Sequence, residues 1–181
     1  AMKYIIIPVI IAVCSISFLS CSTKNNPDQL NQEEVMKAEA PDSLKTAQAA
    51  MDKYEPGTWL TDYNLALRLS KESGKPVLIN FTGSDWCPWC FRLRDEVFSQ
   101  DAFINFAKEN LILLMIDFPM RKELPPEQVK ANQALQEKYG IEGYPTVVIV
   151  NAEGKEIART GYKEGGAESY VAHLKDLLAK K

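Results

Sequence analysis

The stretch VLINFTGSDWCPWCFRLRDEVFS, residues 77–99, narrows the folds open to this chain more than any other. Its first five residues are a short, apolar, β-favouring run that reads as a buried strand. Further on, Cys90, Leu93 and Val97 share one helical stripe with Arg92, Asp95 and Glu96 outside it, so a helix is predicted to start at or near Cys87. A buried strand that passes through a short turn into a helix is a building unit of layered α/β proteins. Two cysteines, Cys87 and Cys90, stand where that helix begins.

A pair so spaced serves as a structural disulfide, as half of a metal site, or as a working dithiol. The first cysteine meets unpaired backbone N–H groups and the positive end of the helix dipole. That placement lowers a thiol pKa from about 8.5 into a range of roughly 3.5–7.5 and yields a nucleophilic thiolate near neutral pH. The second cysteine lies one turn inward, placed to attack a mixed disulfide and release the partner. Zinc takes four ligands, commonly from two such pairs, whereas this sequence has no second CxxC and a single histidine. That histidine, His173, is read as a surface residue of the C-terminal helix. A metal bridged between two copies of the chain stays open. So does a permanently closed disulfide, although so short a loop constrains little unfolded-chain entropy.

The rest of the pattern extends the α/β reading. Leu60, Tyr63 and Leu67 fall on one helical face, with Thr61 or Asp62 to cap it and Gly74 and Pro76 to stop it. A helix is expected over 101–110, a second buried strand over 111–116, and a helix over about 126–139 that ends at Gly140. TVVIV and KEIART flank NAEG, a hairpin signal. Tyr170, Val171, Leu174, Leu177 and Leu178 mark an amphipathic last helix. The predicted architecture is an α/β sandwich on a mixed sheet whose antiparallel side is the hairpin. The 21 basic residues are outnumbered by 24 acidic ones and form no long block, so the composition gives no nucleic-acid surface.

The N-terminus has a different character. Residues 4–19 are 16 uncharged, largely apolar residues behind Lys3. A spanning helix needs about 20, so residues 1–20 are read as a signal peptide. FLSC resembles the lipobox of bacterial lipoproteins, in which the cysteine is acylated and becomes the mature N-terminus; Phe18 stands where that pattern prefers Leu. Cys21 is thus the expected lipidation site, and residues 21–50, polar with a helical tendency near 43–51, are a tether to a membrane. Plain secretion and an uncleaved anchor are the alternatives, and each exports the domain. With Cys14 discarded and Cys21 lipidated, Cys87 and Cys90 are the thiols left, in an envelope compartment where disulfides persist.

GKPVLINFTGSDWCPWC and GIEGYPTVVIVNAEGKEIARTGY resemble the thioredoxin-fold family over roughly residues 54–181, assigned with its lead-in as a domain of residues 51–181. The likeness is greatest to the periplasmic thioredoxin-like domain of the transmembrane thiol–disulfide interchange protein and to exported thioredoxin-like lipoproteins. The resemblance implies a thioredoxin-like fold, a central mixed β-sheet flanked by helices. It implies that Cys87 is the attacking thiolate and Cys90 the resolving thiol. Pro145 becomes the family's cis-proline, which exposes the backbone of Tyr144 to a substrate segment and shields the dithiol from metal. Trp86, Pro88 and Trp89 complete the expected substrate contact, Trp86 tending to packing and Trp89 to contact. No diffusible cofactor and no metal are expected, because the dithiol carries the electrons. Partners are protein disulfides or dithiols and a separate recycling protein.

The sequence departs from the family in two places. Asn80 stands where thioredoxin has a buried acid thought to deprotonate the resolving thiol, and Asn takes no proton at accessible pH. Asp85 is nearer the cysteines but in the expected turn. The dipeptide between the cysteines is Pro88–Trp89, where strong oxidants of this fold carry Pro–His, so the expectation favours a reductant or electron relay. An oxidant, an isomerase, a dithiol metal-binding protein and a non-enzymatic partner-binding module are the alternatives. Arg92 and Arg94 are read as solvated helix-face charges, Trp59 as packing, and residues 118–128 as a surface insertion.

Overall fold

A computed structural model describes residues 40–179. The expected signal peptide, Cys21 and most of the tether lie outside the described residues. The helix expected near 43–51 is α1, Ala40–Asp52. No helix of the described residues is long and apolar enough to cross a membrane.

Five strands form one mixed sheet: β1 (Trp59–Leu60), β2 (Val77–Thr82), β3 (Ile112–Asp117), β4 (Thr146–Val150) and β5 (Glu156–Gly161), in the order β1-β3-β2-β4-β5. β3 is parallel to β1 and β2, while β4 is antiparallel to β2 and β5. The helices are α2 (Tyr63–Ser73), α3 (Pro88–Leu93), α4 (Asp101–Asn110), α5 (Pro126–Lys138) and α6 (Gly166–Ala179). Helix α3 runs on through a π-helical turn, Arg94–Phe98. Asp62 caps α2 by accepting from the Leu65 N–H, and Gly74 ends it in the left-handed region at φ 71°.

The two-residue period of the strands divides the core. Leu78, Leu113, Val147 and Ile149 face Leu93, Val97, Phe98, Phe103, Tyr170 and Leu174 of the helical stretches 88–98, 101–110 and 166–179. On the opposite face Ile79, Phe81, Leu114, Ile116 and Val148 meet Ala66 and Leu69 of α2 and Leu135 of α5. β2 belongs to both faces, and all six of its residues are buried.

Two features differ from the sequence-based expectation. Leu60 lies in the edge strand β1, paired with Leu114, rather than on the α2 face. Two residues are too short to show a period, and Trp59 fixes them there by packing its indole on Phe98 at 5.0 Å and Phe103 at 6.5 Å. His173 is half-buried, and its Nε2 is hydrogen-bonded to Thr160 Oγ1 at 2.9 Å, so it ties α6 to β5 rather than facing solvent freely.

Phe103 is fully buried in this layer. Phe103→Ala is expected to destabilise the domain by about 3–5 kcal/mol, read as a lower urea midpoint at unchanged m-value.

Candidate active site

Cys87 is the N-cap of α3, and Pro88 follows in its first turn, where a missing N–H costs nothing. Cys87 and Cys90 form a disulfide with Cα atoms 5.2 Å apart. The Cys90 N–H donates to Cys87 Sγ at 3.2 Å, so a backbone donor of the first helical turn points at the sulfur expected to carry negative charge. Both cysteines are buried, Cys87 at 3% exposure and Cys90 at 5%, while Pro88 and Trp89 between them are exposed.

The turn ahead of Cys87 is bonded residue by residue to the last residue of β3 and the segment after it. The Ser84 N–H and hydroxyl both donate to the Asp117 carboxylate, at 2.9 and 2.5 Å. Asp85 accepts from the backbone N–H groups of Met120, Arg121 and Lys122 at 2.9, 2.7 and 3.1 Å. Trp86 Nε1 donates to the Phe118 carbonyl at 2.8 Å. Residues 118–122 lie on the surface as expected, with Met120 75% exposed, and they also support the active-site turn, a role the sequence did not indicate. Gly83 is required here, because a Cβ at that position would overlap the Trp86 indole.

The Tyr144–Pro145 peptide is cis. The β2–β4 register pairs Phe81 with Thr146, which brings Pro145 beside the end of the strand that leads into the dithiol. Tyr144 meets Trp86 edge-on at 5.8 Å and Phe118 at 5.3 Å, and its hydroxyl accepts from Gln136 Nε2 at 2.9 Å. Burial pushes its phenol pKa up. Trp86 is 36% exposed and Trp89 52%, so both indoles border the dithiol with a face toward solvent.

Trp89 is held on its other side by groups that the sequence reading left aside. Its ring lies 5.4 Å from that of Tyr162, and the Arg92 guanidinium sits over both, at 5.2 and 4.9 Å. Glu96 accepts from Arg92 Nε at 2.8 Å and from the Tyr162 hydroxyl at 2.5 Å. These bonds hold the Glu96 carboxyl below its ordinary pKa, the Tyr162 hydroxyl contributing most. Arg92 is thus stacked and paired. Arg94 is bonded to Asp95 and lies over Phe91. A helical i, i+4 spacing hinted at Arg92–Glu96, but nothing local to residues 86–99 indicated Tyr162 or Phe118.

Asn80 is 5% exposed and belongs to β2, between Met115 and Val147. Among the described residues no group of three or more His, Cys, Asp or Glu side chains is arranged to hold a metal ion.

A thioredoxin-like domain family matches residues 63–178. Disulfide bond reductase DsbH of Chlamydia pneumoniae is 40% identical over 116 residues, which are 64% of this chain and 70% of that protein. Thiol:disulfide interchange protein DsbD of Pseudoalteromonas atlantica is 28% identical over 122 residues, 66% of this chain and only 19% of its own length. Among solved structures, a DsbH oxidoreductase superposes with a TM-score of 0.65 at 39% identity, over 68% of this chain and 85% of that one.

The bonds to Asp85 lower its pKa, the Met120 N–H first among the causes. The folded-state pKa is depressed, so the contribution is fully present above the unfolded value near 3.9 and is lost as pH falls through the lower folded value. Amide exchange at Met120, Arg121 and Lys122 is expected to lose protection in that acid window. Asp85→Asn is expected to lower it already at neutral pH, with the β2 amides unaffected.

Proposed function

This chain belongs to the thioredoxin-like family, and on that premise we propose that it is an exported disulfide reductant that delivers electrons to protein disulfides. It is a thiol–disulfide oxidoreductase. In the proposed cycle the Cys87 thiolate attacks a substrate disulfide, forming a mixed disulfide and releasing one substrate thiolate. Cys90 then attacks Cys87 Sγ, closing the Cys87–Cys90 disulfide and releasing the second substrate sulfur. The exposed backbone at the cis Tyr144–Pro145 peptide docks the substrate chain beside the dithiol, with Trp86, Pro88 and Trp89 as its apolar border. The dithiol carries both electrons, so no diffusible cofactor enters, and a separate protein returns the disulfide to the dithiol.

The observation that carries the direction is the uncharged setting of the pair. Pro88 and Trp89 lie between the cysteines, and the nearby Arg92 is engaged by Glu96 and two rings. A strong oxidant needs its reduced thiolate stabilised, and no cation free to do so stands on α3 or its π-helical continuation. The relative described as a disulfide bond reductase supports the same direction. In this reading residues 1–20 are a lipoprotein-type signal peptide, acylated Cys21 anchors the protein, and the catalytic domain works on the periplasmic side of the bacterial envelope.

Equilibration of the protein across glutathione redox buffers, with the Cys87–Cys90 peptide quantified by mass, tests the direction. A reversible couple near −270 mV, thioredoxin's approximate value, is expected; one near about −120 mV makes the protein an oxidant instead. No reversible couple would overturn the dithiol's role. Cys90→Ser is expected to accumulate a substrate mixed disulfide on Cys87, and Cys87→Ser to accumulate none.

A further inference from the structure

Trp89 stands between the two cysteines with its indole exposed, yet the ring is held in place by its neighbours. Tyr162 lies against it at 5.4 Å, and the Arg92 guanidinium covers both rings at 5.2 and 4.9 Å. Glu96 ties Arg92 to Tyr162, accepting from Arg92 Nε at 2.8 Å and from the Tyr162 hydroxyl at 2.5 Å. Trp89, Arg92 and Glu96 belong to α3 and its π-helical continuation, whereas Tyr162 follows the end of β5. An ion pair as exposed as Arg92–Glu96 adds little to overall stability. Its effect is to fix an exposed indole, and Trp, Tyr and Arg are the side chains that most often carry binding energy at protein interfaces.

Tyr162 also borders the cis peptide. The β4–β5 register pairs Thr146 with Gly161, so Tyr162 continues β5 past that pair at the end of the strand where Pro145 lies. A Cβ at Gly161 would meet the Pro145 carbonyl oxygen at 3.1 Å, so the two strands run close together there. Tyr162 therefore links the strand end beside Tyr144–Pro145 to the indole between Cys87 and Cys90.

We propose that Tyr162 is a specificity-determining residue, which positions Trp89 to receive a disulfide carried on a polypeptide in preference to a small free disulfide. The inference rests on the oxidoreductase cycle given above and adds no chemical step to it. A substrate chain docked at Tyr144–Pro145 lays a side chain that neighbours its cysteine on the fixed indole. A small disulfide has no such side chain and gains nothing from the wall. An indole free to turn would have to be ordered at capture, and ordering one such side chain costs affinity. Tyr162 and the Arg92–Glu96 pair order it beforehand. In this role Tyr162 acts through Trp89 and takes no part in sulfur exchange.

The test compares two probes, insulin as a polypeptide disulfide and oxidised glutathione as a small one. Reduced full-length protein is mixed with each, quenched in acid at intervals, and the loss of the Cys87–Cys90 dithiol is followed by mass. Tyr162→Ala is expected to lower the insulin-to-glutathione ratio of rate constants by about three- to tenfold. Tyr162→Phe keeps the ring and removes only the bond to Glu96. It is expected to lower the ratio by about twofold, and it carries the test if the Ala variant folds poorly. In a Trp89→Ala background, Tyr162→Ala is expected to lower the ratio no further, because a residue that acts through Trp89 has nothing left to position. A ratio that keeps its wild-type value in the Tyr162 variants overturns the inference, as does a full additional loss in the Trp89→Ala background. A wild-type dithiol that reacts with neither probe overturns the catalytic cycle itself, a failure distinct from either.

Discussion

Strand β2 is buried on both faces and hydrogen-bonded along both edges, and the placement of every site residue follows from it. Its backbone is paired with β3 on one side and β4 on the other, and unpaired buried peptide groups are not tolerated. β3 ends level with it, and the Phe118 N–H closes the pairing on the Thr82 carbonyl at 2.8 Å. β4 runs the other way, so it begins at the same end of the sheet. The turn to Cys87, the segment after β3 and the cis Tyr144–Pro145 peptide therefore converge at one end of the sheet's central strands. The dithiol needs no long-range contact of its own to reach the proline, because the register brings them together.

Features with a local cause were legible in the sequence. The apolar runs that became β2, β3 and β4, the NAEG turn, the Asp62 and Gly74 caps of α2 and the start of the dithiol helix at Cys87 each follow from residues within one element. The cis-proline came from resemblance, not from spacing, since a proline at a strand start reads equally well as trans. The contacts that shape the site were hidden for a different reason. Ser84, Asp85 and Trp86 bond to residues 32 to 37 positions away, and Glu96 meets Tyr162 across 66. No periodicity or composition encodes such pairings, because they arise only once the sheet order is fixed. The same holds for β1, whose two residues join the sheet through the Trp59 indole.

The charges around the dithiol are committed to structure. Asp85 and Asp117 hold the turn, Glu96 and Arg92 hold Trp89 against Tyr162, and Arg94 is bonded to Asp95. None of these pairs is deeply buried, so each does little for overall stability; what each does is fix a loop or a ring. What remains near the pair is the Cys90 N–H on Cys87 Sγ, the exposed Trp86 and Trp89 beside the cysteines in the chain, and the neutral Asn80, which lines a cavity with Cys90. Backbone dipoles favour a thiolate at Cys87 without favouring it as strongly as an adjacent cation would. That graded stabilisation suits the proposed reductant, since a thiolate held too tightly makes the reduced state too stable to give up its electrons. It also separates the two cysteines chemically. Cys87 meets the helix N-terminus and Cys90 lines the cavity against the sheet, and in the proposed cycle that one turn of helix sets the asymmetry between attack and resolution.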